Sequence, residues 1–113
     1  MIRTSTEQLE FNNIYQTAIN LRDVGIECMK IERYSDAVFL FKKAQLHFEK
    51  IFGFSSLESV DLLCKTGICF NYKNETTKAN ECFDKAYIIN QNLLGKNDVD
   101  TEQTLQRKRS VSC

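Results

Sequence analysis

A chain of 113 residues carrying 15 Lys plus Arg against 15 Asp plus Glu has no net charge at neutral pH, so it lacks the basic excess with which nucleic-acid binders neutralise phosphates. Its 42% hydrophobic content suits one soluble domain with a single core. The absence of proline and the presence of only four glycines argue against many short strands and for an all-α fold.

No apolar run follows Met1 and no stretch is long enough to cross a bilayer, so neither a signal peptide nor a membrane helix is expected. Thr6 to Ile31 reads as one long helix or as two broken near Asn12-Asn13. The preferred division is a leading segment, residues 1–13, then a helix from about Ile14. Between Ser35 and Phe52, the residues Ala37, Phe41, Ala44, Phe48 and Ile51 recur at three- and four-residue intervals and form one apolar helical face. Gly53 stands where a left-handed residue would end that helix. Ser55 and Glu58 then offer a capping box. The helix that follows runs to about Tyr72, with Leu63, Gly67 and Phe70 on its inner face. A turn over Asn74-Glu75-Thr76-Thr77 leads to a helix carrying Ala79, Phe83, Ala86 and Leu93, with Gly95 as its stop. Asn97 and Asp98 begin a last helix that holds Leu105.

The elements repeat. Gly25 and Gly67, Ala37 and Ala79, Phe41 and Phe83, Ala44 and Ala86, and Gly53 and Gly95 are each 42 positions apart, and Leu21, Leu63 and Leu105 share that grid. This divides the chain into a first unit at 14–53, a second at 56–95, the start of a third at 98–109 and a tail at 110–113. The matched positions are small or aromatic. Gly25 and Gly67 would let a paired helix approach closely, while Phe41 and Phe83 would fill the gap between units. A lone hairpin could not cover such a face, so stacking is the expected solution.

The order Leu21-x-x-Val24-Gly25-x-x-Cys28, then Tyr34, Ala37, Phe41 and Ala44, resembles the tetratricopeptide repeat signature. Leu63-x-x-Thr66-Gly67-x-x-Phe70, then Ala79, Phe83 and Ala86, is similar to a second copy. The long period and the link at residues 93–98 resemble the kinesin light chain variety, although Cys28 and Thr76 replace aromatic residues and neither link contains proline. The resemblance implies a short right-handed α-solenoid of antiparallel helical hairpins in which the first helix of each hairpin lines a concave surface. Leu21, Val24 and Cys28 then face inward, and the groove residues are Arg22, Ile26, Met29 and Lys30 on the first unit and Lys65, Ile68, Asn71 and Tyr72 on the second. Such a surface suits an extended peptide. Apolar centres can seat its side chains, Asn71 can hold its backbone, and basic groups can hold acidic residues. Ile26 stands where an asparagine of the chaperone-tail carboxylate clamp belongs, which disfavours that ligand.

Catalytic, metal-binding and cofactor-binding signals are missing. Cys28, Cys64, Cys69, Cys82 and Cys113 include no C-x-x-C pair, and three of them fall at helical core positions, so buried thiols in a reducing cytoplasm are expected. The single histidine, His47, is a surface or edge residue with no ligand set around it. No glycine-rich phosphate loop is present. Arg107-Lys108-Arg109-Ser110 forms a short basic tail that a kinase could read. The sequence therefore points to a non-enzymatic adaptor for a protein or peptide partner, with no nucleic acid and no membrane. The alternative is a self-assembly element, or part of a longer array, stacking through open ends near Phe83, Leu93 and Leu105.

Overall fold

A computed structural model describes residues 4–94. Within them lie four α-helices and no strand: α1 (Ser5–Lys30), α2 (Tyr34–Phe52), α3 (Leu57–Tyr72) and α4 (Thr76–Leu94). Each helix packs chiefly on its neighbour in the chain, so α2 lies between α1 and α3. Gly95, the third unit at 98–109 with Leu105, and the tail at 110–113 lie outside the described residues.

The helix at the N-terminus is a single one. Thr4 is extended and its Oγ1 accepts the Glu7 N–H at 3.1 Å, which caps α1 well before Ile14. No break occurs at Asn12-Asn13, because both residues are used within the helix. Asn12 accepts from the Gln8 amide at 3.0 Å, and the Asn13 carbonyl accepts the Thr17 hydroxyl at 2.9 Å. The early turns are also held from outside. Phe11 and Tyr15 meet Phe48 and Phe52 of α2 in edge-to-face contacts with ring centroids 6.0 to 6.1 Å apart, each such pair being worth about 0.5–1.5 kcal/mol beyond its buried area.

The two hairpins share every helix limit but the first, since α1 starts at Ser5 and α3 at Leu57. α1 ends at Lys30 and α3 at Tyr72; α2 starts at Tyr34 and α4 at Thr76; α2 ends at Phe52 and α4 at Leu94. Each pair is 42 residues apart. The links repeat the same backbone motif. After α1, Glu32 has φ +63°, its N–H donates to the Met29 carbonyl at 3.0 Å, and the Arg33 N–H donates to the Cys28 carbonyl at 2.8 Å. After α3, Asn74 has φ +62°, its N–H donates to the Asn71 carbonyl at 3.0 Å, and the Glu75 N–H donates to the Phe70 carbonyl at 2.8 Å. Both are Schellman endings, which satisfy carbonyls that the last helical turn leaves open. The turn is thus shorter than the expected 74–77, and α4 begins at Thr76.

A buried cluster joins Ala18 of α1, Ala37, Phe41, Ala44 and Phe48 of α2, Leu62, Cys69 and Phe70 of α3, and Ala79 and Phe83 of α4. Fully burying one phenylalanine side chain contributes roughly 1.5–3 kcal/mol, so Phe41, Phe48 and Phe83, all inaccessible, are the largest single contributors. Phe41 lies over Gly25 and Phe83 over Gly67, so each ring fills space inside its own hairpin. Phe83 is therefore not part of an exposed end, whereas Leu93 is 40% exposed.

Two other expectations are corrected. The cap of α3 is Ser56, not Ser55. Ser56 is extended, its Oγ accepts the Ser59 N–H at 3.1 Å, and the same hydroxyl donates to Ser59 Oγ at 3.2 Å. Val24, expected to face inward, is 52% exposed, while its counterpart Thr66 is 2% exposed. The reason lies in the neighbours. On α3 the stripe Ser59, Leu62, Thr66 and Cys69 is buried, Leu62 and Cys69 clustering with Phe41 and Phe48 of α2. Among the described residues no helix precedes α1 to cover the corresponding stripe of Thr17, Asn20, Val24 and Glu27, and all four are exposed.

Candidate peptide-binding groove

At 3.6 residues per turn, Arg22, Ile26, Met29 and Lys30 share one face of α1, and Lys65, Ile68, Asn71 and Tyr72 share one face of α3. The apolar members are only partly open. Ile26, Met29 and Ile68 all pack against the main core cluster, which ties both sets to one support. The basic members each hold a carboxylate of their own helix: Arg22 to Asp23 at 3.2 Å, Lys30 to Glu27 at 3.0 Å and Lys65 to Asp61 at 2.6 Å. These exposed pairs are weak, with a typical net worth of about 0–1 kcal/mol, so an incoming carboxylate could displace the internal one. Cys64, aligned with Arg22, is not on this surface; it is buried with Val60, Leu63 and Ala86.

Tyr72 is positioned by a neighbour that sequence alone did not connect to it. Its ring stacks on Tyr34, the first residue of α2, with centroids 4.8 Å apart and planes 4° from parallel. Tyr72 remains 55% exposed, so the pair presents a flat aromatic step at the α2–α3 junction. Desolvation, and then the nearby Glu32 carboxylate, raises the Tyr34 phenol above its ordinary pKa. Tyr34 therefore remains a neutral hydroxyl donor throughout the physiological range.

A second concavity lies on the other side of α3. Lys42 and Gln45 of α2 form one wall, Lys78, Glu81, Cys82 and Lys85 of α4 the other, and Leu63, Thr66 and Phe70 of α3 the floor, around a volume of about 280 Å³. An adjoining space of about 330 Å³ shares Gln45, Leu63 and Lys85 and extends to Phe54 and Ile88. The Nζ atoms of Lys42, Lys73 and Lys78 all lie within 6 Å of the Phe70 ring centroid, at 5.5, 5.9 and 5.7 Å. Glu75 serves two of them, at 3.5 Å from Lys73 and 3.7 Å from Lys78. In the sequence these lysines are spread over α2, the link after α3 and α4. The signal that could have found them is the inward position of Phe70 on α3, which α2 and α4 flank.

Burial pushes the Cys69 thiol up to about 11 and raises Cys82, the latter against the pull of Lys85 and Lys42. Both thiols stay protonated near neutrality and are poor nucleophiles. The His47 ring is held by Nδ1 contact with the Lys43 carbonyl at 2.9 Å. Among the described residues no group of three or more His, Cys, Asp or Glu could hold a metal ion, and no helix is long and apolar enough to cross a membrane.

No family model, curated protein or solved structure matches this chain.

Proposed function

We propose that the chain is a non-catalytic interaction module, a short tetratricopeptide-like α-solenoid that binds a peptide or helix of a partner protein across the Arg22, Ile26, Met29, Lys30, Lys65, Ile68, Asn71 and Tyr72 surface. The observation that carries this role is the equivalence of the two hairpins. From the end of the first helix onward they have the same helix limits, the same Schellman link and the same glycine-to-phenylalanine contact, each displaced by 42 residues. Stacked equivalent hairpins display the faces of successive first helices side by side, and such quasi-linear arrays serve as extended binding surfaces. Among the described residues the basic groups on this surface pair only within their own helices, which leaves them exchangeable with a ligand's carboxylates.

Self-assembly through the ends is the competing role. The stripe of Thr17, Asn20 and Glu27 beside Val24 is polar and exposed, which disfavours stacking on α1. Peptide binding is therefore the better supported role for the α1 end.

Selection of displayed random peptides on the purified chain tests the proposal. A consensus with acidic and apolar positions should be enriched on the wild type and lost on an Arg22→Glu/Lys65→Glu variant. Both side chains are partly exposed and paired only within their helix, so the variant should keep its fold. Equal enrichment on both proteins would mean that this surface does not bind the peptide.

A further inference from the structure

The concavity between α2 and α4 is separate from the surface just discussed. On α3 its floor residues Leu63, Thr66 and Phe70 lie on one side of the helix, and Lys65, Ile68 and Tyr72 fall on the other at 100° per residue. A ligand could occupy either without meeting the other.

Its charge is uneven. At the Phe70 end stand Lys42, Lys73 and Lys78, opposed by Glu75 and Glu81, and Lys85 lies where this space joins the next. Glu75 already serves Lys73 and Lys78, and neither Lys42 nor Lys85 forms an ion pair among the described residues. The ammonium groups of Lys42, Lys73 and Lys78 lie over the Phe70 ring, which is 5% exposed. At the other end Phe54, Leu63, Ile88 and Ile89 add an apolar part to a lining that also holds Glu49 and Lys85. Phe54 is 78% exposed and Ile88 55% exposed, a high exposure for two large apolar side chains beside one cavity. Lys78 to Asn92 spans 14 residues of α4, or roughly 20 Å at 1.5 Å per residue, which is the length of about six extended residues.

We propose that this groove is a second docking surface, taken by an extended acidic segment of a partner protein whose carboxylates lie among Lys42, Lys78 and Lys85 and whose apolar anchor covers Phe54 and Ile88. Charge complementarity sets the direction of the segment, acidic part toward Phe70 and apolar part toward the α2–α3 loop. Clustered ammonium groups favour carboxylates over a neutral ligand. The exposed apolar end supplies area that a simple counter-ion would not use.

The test uses the whole chain and a fluorescein-labelled six-residue probe, three aspartates followed by Leu-Phe-Leu, read by anisotropy at moderate salt. Binding should weaken about tenfold in Lys42→Glu/Lys85→Glu, in line with the loss of two exposed charge contacts. It should also weaken in Ile88→Asp, and stay unchanged in Arg22→Glu/Lys65→Glu. A Lys42→Gln/Lys85→Gln variant with a wild-type melting curve guards against misfolding and should show a smaller loss. Binding that only Arg22→Glu/Lys65→Glu removes would overturn this site while leaving the module role intact. Equal binding of a scrambled probe or of a triaspartate peptide without the apolar residues would also overturn it, as would an unchanged affinity in the Lys42/Lys85 variants.

Discussion

A Cβ on Gly25 would stand 2.6 Å from Cε1 of Phe41, and a Cβ on Gly67 would stand 2.6 Å from Cε1 of Phe83. Both rings are fully buried, so neither can swing aside without disturbing its hairpin. Glycine inside a helix costs about 1 kcal/mol relative to alanine, and here it is kept because the phenylalanine needs the space. Gly25→Ala and Gly67→Ala should therefore each destabilise by roughly 1–2 kcal/mol in urea unfolding, since overpacking costs of about 1–3 kcal/mol exceed the helix-propensity gain. Combining Gly25→Ala with Phe41→Leu should cost less than the sum of the two single changes. Strict additivity would show that the ring and the glycine are not in contact.

Much of this was legible before the structure. Small and aromatic residues on a shared grid identify close approaches, and Gly25 and Gly67 do admit a paired helix, but Phe41 and Phe83, expected between units, lie over these glycines inside their own hairpins. What escaped the sequence depended on neighbours. Val24 belongs to a stripe that is buried on α3, yet it is 52% exposed because among the described residues no helix covers it. Asn12-Asn13 suggested a break by its poor helix propensity, but amide pairing and the Phe11–Tyr15–Phe48–Phe52 contacts override that local preference. Lys42, Lys78 and Lys85 are each ordinary surface lysines along the chain, and only the packing of α2 and α4 over α3 brings them to one groove.

Glu32 occupies the left-handed position of the first Schellman link with φ +63°, where a side chain is strained and glycine is not. Glu32→Gly should raise stability by about 0.5–1 kcal/mol. Asn74→Gly should gain less, because asparagine tolerates this conformation better than glutamate does. Thermal and urea unfolding of both variants decide the matter, and a loss of stability in Glu32→Gly would contradict the link geometry.

Ser56 and Ser59 make a buried two-residue cap at the start of α3. Ser56→Ala should cost about 1 kcal/mol, as is typical for loss of an N-cap. Ser55→Ala, next to it but exposed, should change stability little. If the two substitutions exchange their effects, the helix begins one residue earlier than described.

Cys69 links burial to pH. Its thiol is fully inaccessible, and burial, partly offset by Lys73, pushes it up to about 11 from an ordinary value of 9.0. A raised acid pKa means that above pH 9 the unfolded chain releases a proton that the folded chain keeps. The unfolded state then binds fewer protons, so stability falls as pH rises. The contribution should be constant below about pH 9 and decline between about 9 and 11. Tyr34 and Cys82 shift in the same direction and add to the slope. Unfolding measured from pH 7 to 10.5 should show the decline, and Cys69→Ala should flatten part of it while lowering stability at neutral pH through lost packing. A variant whose pH profile runs parallel to that of the wild type would mean that Cys69 ionises equally well in both states.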